Sequence, residues 1–306
     1  MEKAKRSPFF YVGDKYKLMP QLIELMPSNI NHYIEPFLGG GSSLINISAK
    51  HYLANDIDKH VIELHKFLSG YYNKSKELIK MLLKIINKYN LSCSFNGVVV
   101  PENLKKKYVK TYYSVYNKAN YNKMKEHYNL NKDNFAELYL LLIYGFNHMI
   151  RFNKNGDFNL PVGNVDFNQN VYNAIVNYLN FINNHKSIKF FTMDYIKFLN
   201  KVKFQKDDYV FLDPPYHISL SEYNKLWNED KEVELYDVLD DLDNKGIRFG
   251  LTNLITHKGK KNLILQRRMG KYNVFYISSN YISFNDNSIK KDSQEVFVTN
   301  YGSKQS

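Results

Sequence analysis

Hydrophobic and polar residues follow two different patterns along this chain. Seven short apolar runs that end at acids, glycines or turn residues predict β-strands; they cover residues 32–37, 51–56, 188–194, 208–213, 247–253, 272–278 and 294–301. Residues 229–244 instead carry valines and leucines near helical spacing, and Gly246 supplies a stop. Apolar strands that alternate with helices are typical of an α/β fold with a mostly parallel sheet.

The middle of the chain has few strand signals. Residues 58–145 are helix-like and rich in Lys and Tyr, and residues 146–167 form a loop with Gly, Asn and Pro. We therefore predict an α/β domain built from residues 1–57 and 172–306, interrupted by a mostly helical insertion at residues 58–171.

Charge and cysteine content narrow the choice of partner and compartment. The chain has 42 Lys and Arg against 30 Asp and Glu, a net charge of +12, which favours a polyanionic partner and nucleic acid first. A single cysteine excludes an intrachain disulfide and a cysteine-based zinc cluster, and it fits a reducing compartment. Because no apolar run approaches about 18 residues, we expect a soluble, cytoplasmic protein that does not enter a membrane.

A glycine-rich segment follows the first predicted strand. It reads Glu35-Pro-Phe-Leu-Gly39-Gly-Gly41-Ser and leads into a helical pattern at residues 44–49. Such glycines let the backbone approach a ligand closely, while a following helix presents its N-terminal amides. Asp56 ends the next strand 17 residues after Gly39, near the offset at which an acid reaches ribose hydroxyls. The segment fits either an ordinary β–α turn or a nucleoside site without a pyrophosphate.

A second segment, Asp213-Pro-Pro-Tyr216, directly follows an apolar strand. Two prolines cannot continue a central strand, so the chain must leave the sheet there in a stiff, extended turn. This turn would hold a carboxylate, a carbonyl and an aromatic face beyond a strand's carboxyl end, where α/β sheets bind ligands. These groups suit a flat ring that bears an amino group. A simple strand-terminating turn is the alternative.

Together these motifs resemble the Dam-type DNA adenine-N6 methyltransferases, and the resemblance covers nearly the whole chain. Residues 11–16 look like that family's N-terminal cofactor segment, residues 35–42 like its glycine loop, and Asp213–Tyr216 like its catalytic tetrapeptide. The motifs within residues 144–163 resemble those of its DNA-reading hairpin. We place the whole hairpin of this chain at residues 146–167. The resemblance implies a Rossmann-like S-adenosylmethionine-dependent methyltransferase sheet with an inserted target-recognition domain.

The resemblance also implies roles for individual residues. S-adenosylmethionine would be bound by Tyr11, Lys15, Glu35, Phe37, Gly39, Gly41, Asp56, Asp194 and Asp213. Catalysis would fall to Asp213, Pro214, Pro215 and Tyr216. The target adenine must leave the duplex to present its N6. The Asp213 carboxylate and the Pro214 carbonyl would accept the two amino hydrogens, and Tyr216 would stack on the ring. No metal is required.

The resemblance also implies that the chain binds double-stranded DNA and assigns residues to its recognition. The implied contacts come from Phe146, Asn147, Arg151, Asn153 and Pro161. Phe146 would wedge into the base stack with Asn147 as its support, Arg151 would bind a guanine edge, and Pro161 would contact a thymine methyl. Some lysines of residues 105–128 would meet phosphates.

Three positions depart from the Dam pattern, and the arginine-rich patch expected near residues 276–279 is missing, which together put GATC recognition in doubt. Phe10 stands where a lysine usually reads the first base, Asn164 replaces an arginine, and Asp14 replaces a glycine. A restriction-modification methylase that reads another site, paired with a cognate restriction endonuclease, is equally compatible.

Other functions fit the sequence less well. An amino-group methyltransferase acting on RNA or protein glutamine would suit the same tetrapeptide, but the predicted hairpin and the charge favour duplex DNA. A catalytically silent DNA-binding relative is disfavoured because Asp213, Pro214 and Tyr216 are all present. Cytosine-N4 transfer is disfavoured by Asp213, where those enzymes usually have Ser. An NAD-dependent oxidoreductase is disfavoured by the glycine spacing.

Overall fold

A computed structural model describes residues 4–185, 187–219, 227–278 and 293–302 of the chain. The helices of this part are α1 (Met19–Leu25), α2 (Lys59–Ser69), α3 (Ser75–Lys88), α4 (Glu102–Lys107), α5 (Tyr112–Leu130), α6 (Phe135–Tyr144), α7 (Gln169–Asn184), α8 (Tyr195–Lys201), α9 (Glu229–Asn244) and α10 (Leu263–Arg268). The strands are β1 (His32–Glu35), β2 (His51–Asp56), β3 (Ile188–Thr192), β4 (Tyr209–Leu212), β5 (Arg248–His257), β6 (Lys260–Lys261), β7 (Asn273–Ile277) and β8 (Gln294–Thr299).

These strands form one mixed sheet in the order β3-β2-β1-β4-β5-β8-β7, with β6 paired to β5. The five strands from β3 to β5 are parallel, and β8 runs antiparallel to both β5 and β7. The chain runs outward from β1 to β3 and then returns to place β4 on the other side of β1. Ligands of open α/β sheets bind at this kind of switch point, so the ends of β1 and β4 are the expected site.

Alternate residues of the central strands pack into two hydrophobic clusters, one on each face of the sheet. Tyr33 and Phe211 face a large cluster that also contains the buried sides of α2, α3, α6 and α7. Ile34 and Leu212 face a second cluster with α8, α9 and α10. Both faces of the central strands are therefore covered, as a buried parallel sheet requires.

The helices of the predicted insertion share their core with the sheet. Helix α2 contacts β2 and β3 as well as α6 and α7, and the predicted boundary at residues 171–172 lies in the first turn of α7. The division into two domains stays a prediction.

The α/β fold class is confirmed, and each predicted strand is found with ends that differ by a few residues. Helix α9 has the predicted bounds. The helix predicted at residues 44–49 is wrong, because residues 42–46 form turns, residue 47 is in a bend, and residues 48–49 are irregular. There the Asn46 side chain binds the backbone of Ser42 and Lys5 at 2.7 Å, which competes with helical hydrogen bonds.

The pattern of the sequence also missed a small hairpin. Strand β5 continues to His257 and turns through Lys258 and Gly259 into β6. Both turn residues have positive φ, 48° and 75°, which matches a tight two-residue hairpin. In the part of the chain that the structure describes, no helix is long and apolar enough to cross a membrane.

Candidate active site

An open cleft of about 350 Å³ lies at the carboxyl ends of β1 and β4. It brings together the residues that follow these strands with the N-terminal segment and the end of β2. All residues predicted to bind cofactor or to act in catalysis line it: Tyr11, Lys15, Glu35, Phe37, Gly39, Gly41, Asp56, Asp194, Asp213, Pro214, Pro215 and Tyr216. The cleft therefore collects segments that are as much as two hundred residues apart in the sequence.

The glycine loop is packed too tightly for larger residues. A Cβ on Gly40 would lie 2.8 Å from the Cβ of Tyr11, and one on Gly41 would lie 2.9 Å from Cε1 of His65. Gly41 also has φ of 71°, in the left-handed region that favours glycine. The loop thus runs directly against its support, which leaves its other side to form the wall of the cleft.

His65 supports this loop from within the core. Its Nε2 lies 2.9 Å from the Gly39 carbonyl oxygen, and its Nδ1 lies 2.9 Å from the Tyr178 hydroxyl. Burial lowers the pKa of His65 to about 4, so the imidazole is neutral at neutral pH and donates one of these bonds. His65 is buried and packs beneath the loop.

Asp56 fixes the other side of the loop. Its Oδ2 accepts a 2.8 Å hydrogen bond from the Gly39 amide, and its Oδ1 accepts one of 2.9 Å from the Asp58 amide. Burial raises the pKa of Asp56 to about 6, even though both amides favour the charged form. This carboxylate lies at the cleft as expected, but part of its bonding capacity already holds the backbone.

Glu35 lies at the end of β1 and is 1% exposed. Its Oε1 accepts a hydrogen bond from the Ser43 hydroxyl, while its Oε2 has no hydrogen-bond partner among the described residues. Burial raises the pKa of Glu35 well above its ordinary value, and the nearby Asp213 and Asp56 add to this. A shielded carboxyl oxygen without a donor is a natural place for a ligand N–H group.

Asp213 is the centre of a polar cluster at the end of β4. Its Oδ1 accepts a 2.6 Å hydrogen bond from the Thr252 hydroxyl and lies 2.9 Å from the Lys15 ammonium. Lys15 is 9% exposed, and its ammonium also lies 4.7 Å above the centre of the Tyr216 ring. The carboxylate is thereby oriented and paired with a cation before any substrate enters.

Tyr216 is buried and is held by a residue that the sequence did not reveal. Its hydroxyl donates a 2.6 Å hydrogen bond to Oε1 of Glu295, which is 1% exposed in β8. Glu295 and Thr252 come from strands far along the chain and belong to no motif. Only the pairing of β5 with β8 beside β4 brings them to Asp213 and Tyr216.

Aromatic rings form another wall of the cleft. The Phe37 ring lies 4.9 Å from that of Tyr195 and 5.6 Å from that of Trp227. The Trp227 indole is fixed by a 2.7 Å hydrogen bond from its Nε1 to the buried Glu232. Asp194 caps α8 by accepting from the amides of the first turn. Tyr195, Trp227 and Glu232 were not among the predicted site residues.

The segment predicted to read DNA contains an antiparallel hairpin. Phe152 bridges Phe158, and Gly145 bridges Val162. Arg151 is tied across this hairpin, because its Nε and one terminal nitrogen both donate 2.9 Å bonds to Asn159. Asn153, near the hairpin tip, binds the backbone of Asp157.

The start of this segment has an unusual backbone. Phe146 is 44% exposed, and Asn147 and His148 have φ of 57° and 50°. Pro161 is exposed and its carbonyl accepts a 2.9 Å bond from the Phe146 amide. Phe146 and Pro161 therefore lie close together on an exposed part of the protein, while the DNA contacts predicted for this segment stay predictions.

Residues 11–291 match the family described as D12 class N6 adenine-specific DNA methyltransferase. The chain belongs to this family. Both the resemblance drawn from the motifs and the Rossmann-like methyltransferase fold are thereby confirmed. The residue assignments within the cleft remain predictions.

Similar family members include restriction-modification methylases. The chain is 32% identical over 314 residues to the modification methylase StsI of Streptococcus sanguinis, covering 99% of this chain and 44% of that protein. It is 31% identical over 304 residues to the type II methyltransferase M.FokI of Planomicrobium okeanokoites, covering 97% and 43%. A DNA adenine methylase of Salmonella typhi is 24% identical over 222 residues, covering 70% and 66%. The chain thus spans less than half of the first two relatives.

Two of the three departures from the Dam pattern have structural roles. Phe10 is buried, with its ring 5.5 Å from that of His148 and the Arg6 guanidinium 4.4 Å above it. Asn164 accepts from the Tyr113 and Ser114 amides and donates to the Lys110 carbonyl, so it fixes the start of α5. Phe10 is not available as an exposed base-reading group, and Asn164 serves the backbone.

Among the described residues, no group of three or more His, Cys, Asp or Glu side chains is arranged to hold a metal ion. The expectation that the reaction needs no metal stays a prediction.

Proposed function

We propose that this chain transfers a methyl group from S-adenosylmethionine to N6 of a flipped-out adenine in double-stranded DNA. Family membership supports the reaction. The observation that carries the proposal is the Asp213–Tyr216 tetrapeptide beyond β4, held in one cleft with the glycine loop that follows β1. Because the chain spans less than half of StsI and M.FokI, the site specificity of those proteins is not transferred to it.

The residues of the cleft fit S-adenosylmethionine. Oε2 of Glu35 and Oγ of Ser42 are shielded acceptors without partners among the described residues, as expected for atoms that await a ligand donor. The glycines at positions 40 and 41 let the loop pack against Tyr11 and His65, so that its other side faces the cleft, and the aromatic wall around Phe37 suits a purine ring. Asp56 would accept from the ribose hydroxyls. When bound, the cofactor supplies an electrophilic methyl group.

Asp213 would act on the amino group of the target base. The lone pair of this nitrogen is delocalised into the ring, so the nitrogen is a poor nucleophile until acceptors stabilise the charge that develops on it. The Asp213 carboxylate and the Pro214 carbonyl would accept the two amino hydrogens. Thr252 and Lys15 hold the carboxylate in place beforehand, which removes the cost of orienting it during the reaction.

Tyr216 would support the flipped base through its ring. The hydroxyl bond to Glu295 fixes the orientation of this ring, so that its face is preformed. Since the Lys15 ammonium lies over the same ring and also binds Asp213, entry of a base requires Lys15 to shift or to share the carboxylate.

The hairpin that contains Arg151 would read the duplex. Phe146 would wedge into the stack, Asn147 would support it, Arg151 would bind a guanine edge, and Asn153 and Pro161 would contact neighbouring bases. A planar guanidinium can bind guanine O6 and N7 together. The net charge of +12 supports binding to the DNA backbone, with lysines of residues 105–128 as phosphate contacts.

The names of the relatives support a place in a restriction-modification system, with an endonuclease that cuts the same site as partner. The recognition sequence would differ from GATC, since Phe10 and Asn164 have structural roles.

The proposal is tested by sequencing the modified bases in DNA from cells that express the chain, with Asp213→Ala as the inactive control. N6-methyladenine in a fixed sequence context is expected, and only with the unsubstituted chain. Purified protein would be given tritium-labelled cofactor with DNA, RNA or protein. Label in RNA or protein but not in DNA would contradict the proposal and favour the other amino-group methyltransferases.

A further inference from the structure

We infer that Asp14, together with Ser42 and Glu35, binds the α-ammonium group of the methionine part of S-adenosylmethionine, and this inference rests on the proposed function. Asp14 stands where the Dam pattern has a glycine, so this carboxylate would be an additional contact of this chain.

The first argument is a group of buried polar oxygens that have no hydrogen-bond partner among the described residues. Oδ2 of Asp14, Oγ of Ser42 and Oε2 of Glu35 are all shielded from solvent and have no hydrogen-bond partner among the described residues. All three residues line the cleft. Buried polar atoms in folded proteins nearly always have partners, so three such atoms in one cleft indicate a ligand that brings donors.

The second argument is that nearby cations of the chain are bound elsewhere. Lys15 pairs with Asp213 at 2.9 Å and donates to the Gly13 carbonyl at 3.1 Å. The Arg6 guanidinium lies over the rings of Phe10 and Tyr16. Both cations lower the pKa of Asp14 from a distance, but neither forms an ion pair with it in the described structure.

The third argument concerns orientation and charge. Oδ1 of Asp14 accepts a 2.6 Å bond from the Tyr16 amide, which fixes the carboxylate and leaves Oδ2 as the acceptor for a ligand. Burial raises the pKa of Asp14, and it raises that of Glu35 well above its ordinary value. Burial is the main cause of both shifts, and a cation bound between these carboxylates would offset it.

The chemistry selects the ammonium over the other parts of the cofactor. An ammonium carries three N–H donors and a positive charge, whereas a carboxylate would be repelled by Asp14 and Glu35. The sulfonium is positive but has no hydrogen to donate. A primary ammonium therefore brings both N–H donors for the unpartnered oxygens and a positive charge beside the two buried carboxylates.

The test is a binding cycle that changes the residue and the ligand separately. Calorimetry at pH 8 would measure the affinity of the unsubstituted protein, Asp14→Asn and Asp14→Gly for two ligands. These are S-adenosylhomocysteine and its analogue without the α-amino group. The exposed Asp241→Asn is the matched control. We expect Asp14→Gly to bind S-adenosylhomocysteine about 10- to 100-fold more weakly, the range for a hydrogen bond to a charged group. The deamino analogue should bind the unsubstituted protein and Asp14→Gly with affinities that differ by no more than about twofold.

Two outcomes would overturn the inference. In one, both Asp14 variants bind S-adenosylhomocysteine as tightly as the unsubstituted protein. In the other, the loss is equally large with the deamino analogue, which would indicate a structural effect. Ser42→Ala adds a variant without any change of charge, for which we expect a loss of about 2- to 12-fold. Since the unsubstituted protein would still bind cofactor and methylate DNA in either case, failure of the inference is distinguishable from failure of the proposed function.

Discussion

Asp213→Asn should give a folded protein that binds cofactor but methylates DNA at least about 100-fold more slowly, the usual cost of losing one preorganised electrostatic group. Asparagine has the same shape as aspartate, and its Oδ1 can still accept from Thr252 and Lys15, which lie 2.6 and 2.9 Å away. The substitution therefore removes the charge that stabilises the reacting amino group and keeps the hydrogen bonds that orient the side chain.

The structure also sets the expected cost in stability. Two unit charges 2.9 Å apart attract each other by about 6 kcal/mol at an effective dielectric constant near 20. Since the Asp213 side chain is 19% exposed, restored solvation offsets much of this gross attraction. We expect Asp213→Asn to cost about 1–3 kcal/mol of unfolding free energy. Asp213→Ala should cost more, about 3–5 kcal/mol, because it removes the carboxylate that lies 2.9 Å from the buried Lys15 ammonium.

The assay follows label transfer from tritiated cofactor into DNA at saturating substrate, beside calorimetry of cofactor binding and a thermal melt. Asp241→Asn on the exposed face of α9 controls for the loss of one negative charge elsewhere. The reasoning fails if Asp213→Asn retains more than about a tenth of the activity, or if activity is lost only because the protein unfolds.

Three further predictions concern the cofactor, the glycine loop and the DNA. Cofactor affinity should rise as pH increases through about 6 and level off above pH 7, since the carboxylate of Asp56 accepts from ribose in its charged form; calorimetry across this range should show a smaller rise for Asp56→Asn. Gly41→Ala should destabilise the protein by about 1–3 kcal/mol, because the new Cβ would meet His65 at 2.9 Å with φ of 71°, and an unchanged thermal melt would contradict this. Arg151→Ala should cost about 1–3 kcal/mol of binding free energy on the recognised site and relax the preference at one base pair. Lys107→Ala should instead weaken binding to all duplexes alike and reduce its salt dependence. If Arg151→Ala slows methylation of every duplex equally, Arg151 contacts the DNA backbone and not a base.

Local pattern was sufficient for the strands, for α9 and for the two motifs that define the family. Each of these depends on residues close together in the sequence: short apolar runs for the strands, helical spacing for α9, and turn residues directly after β1 and β4. The helix predicted at residues 44–49 failed for an equally local reason, since the pattern registered its apolar residues but not the competing hydrogen bonds of Asn46.

The partners of the motif residues required the tertiary structure. Glu295 bonds to Tyr216 across 79 positions of sequence, and Thr252 bonds to Asp213 across 39. These contacts exist because β5 lies beside β4 in the sheet and β8 pairs antiparallel with β5. This strand order is set by packing over the whole chain.

The sequence by itself thus determined the fold class, the family and many of the residues that line the cleft, because each is encoded in short motifs and their order. Only the tertiary structure decided the state of those residues: Lys15 paired with Asp213, Asp56 holding the glycine loop, and Asp14 with one oxygen lacking a partner among the described residues. The physical reason is that burial and charge pairing depend on what every other segment places around a group, and no local pattern contains that information.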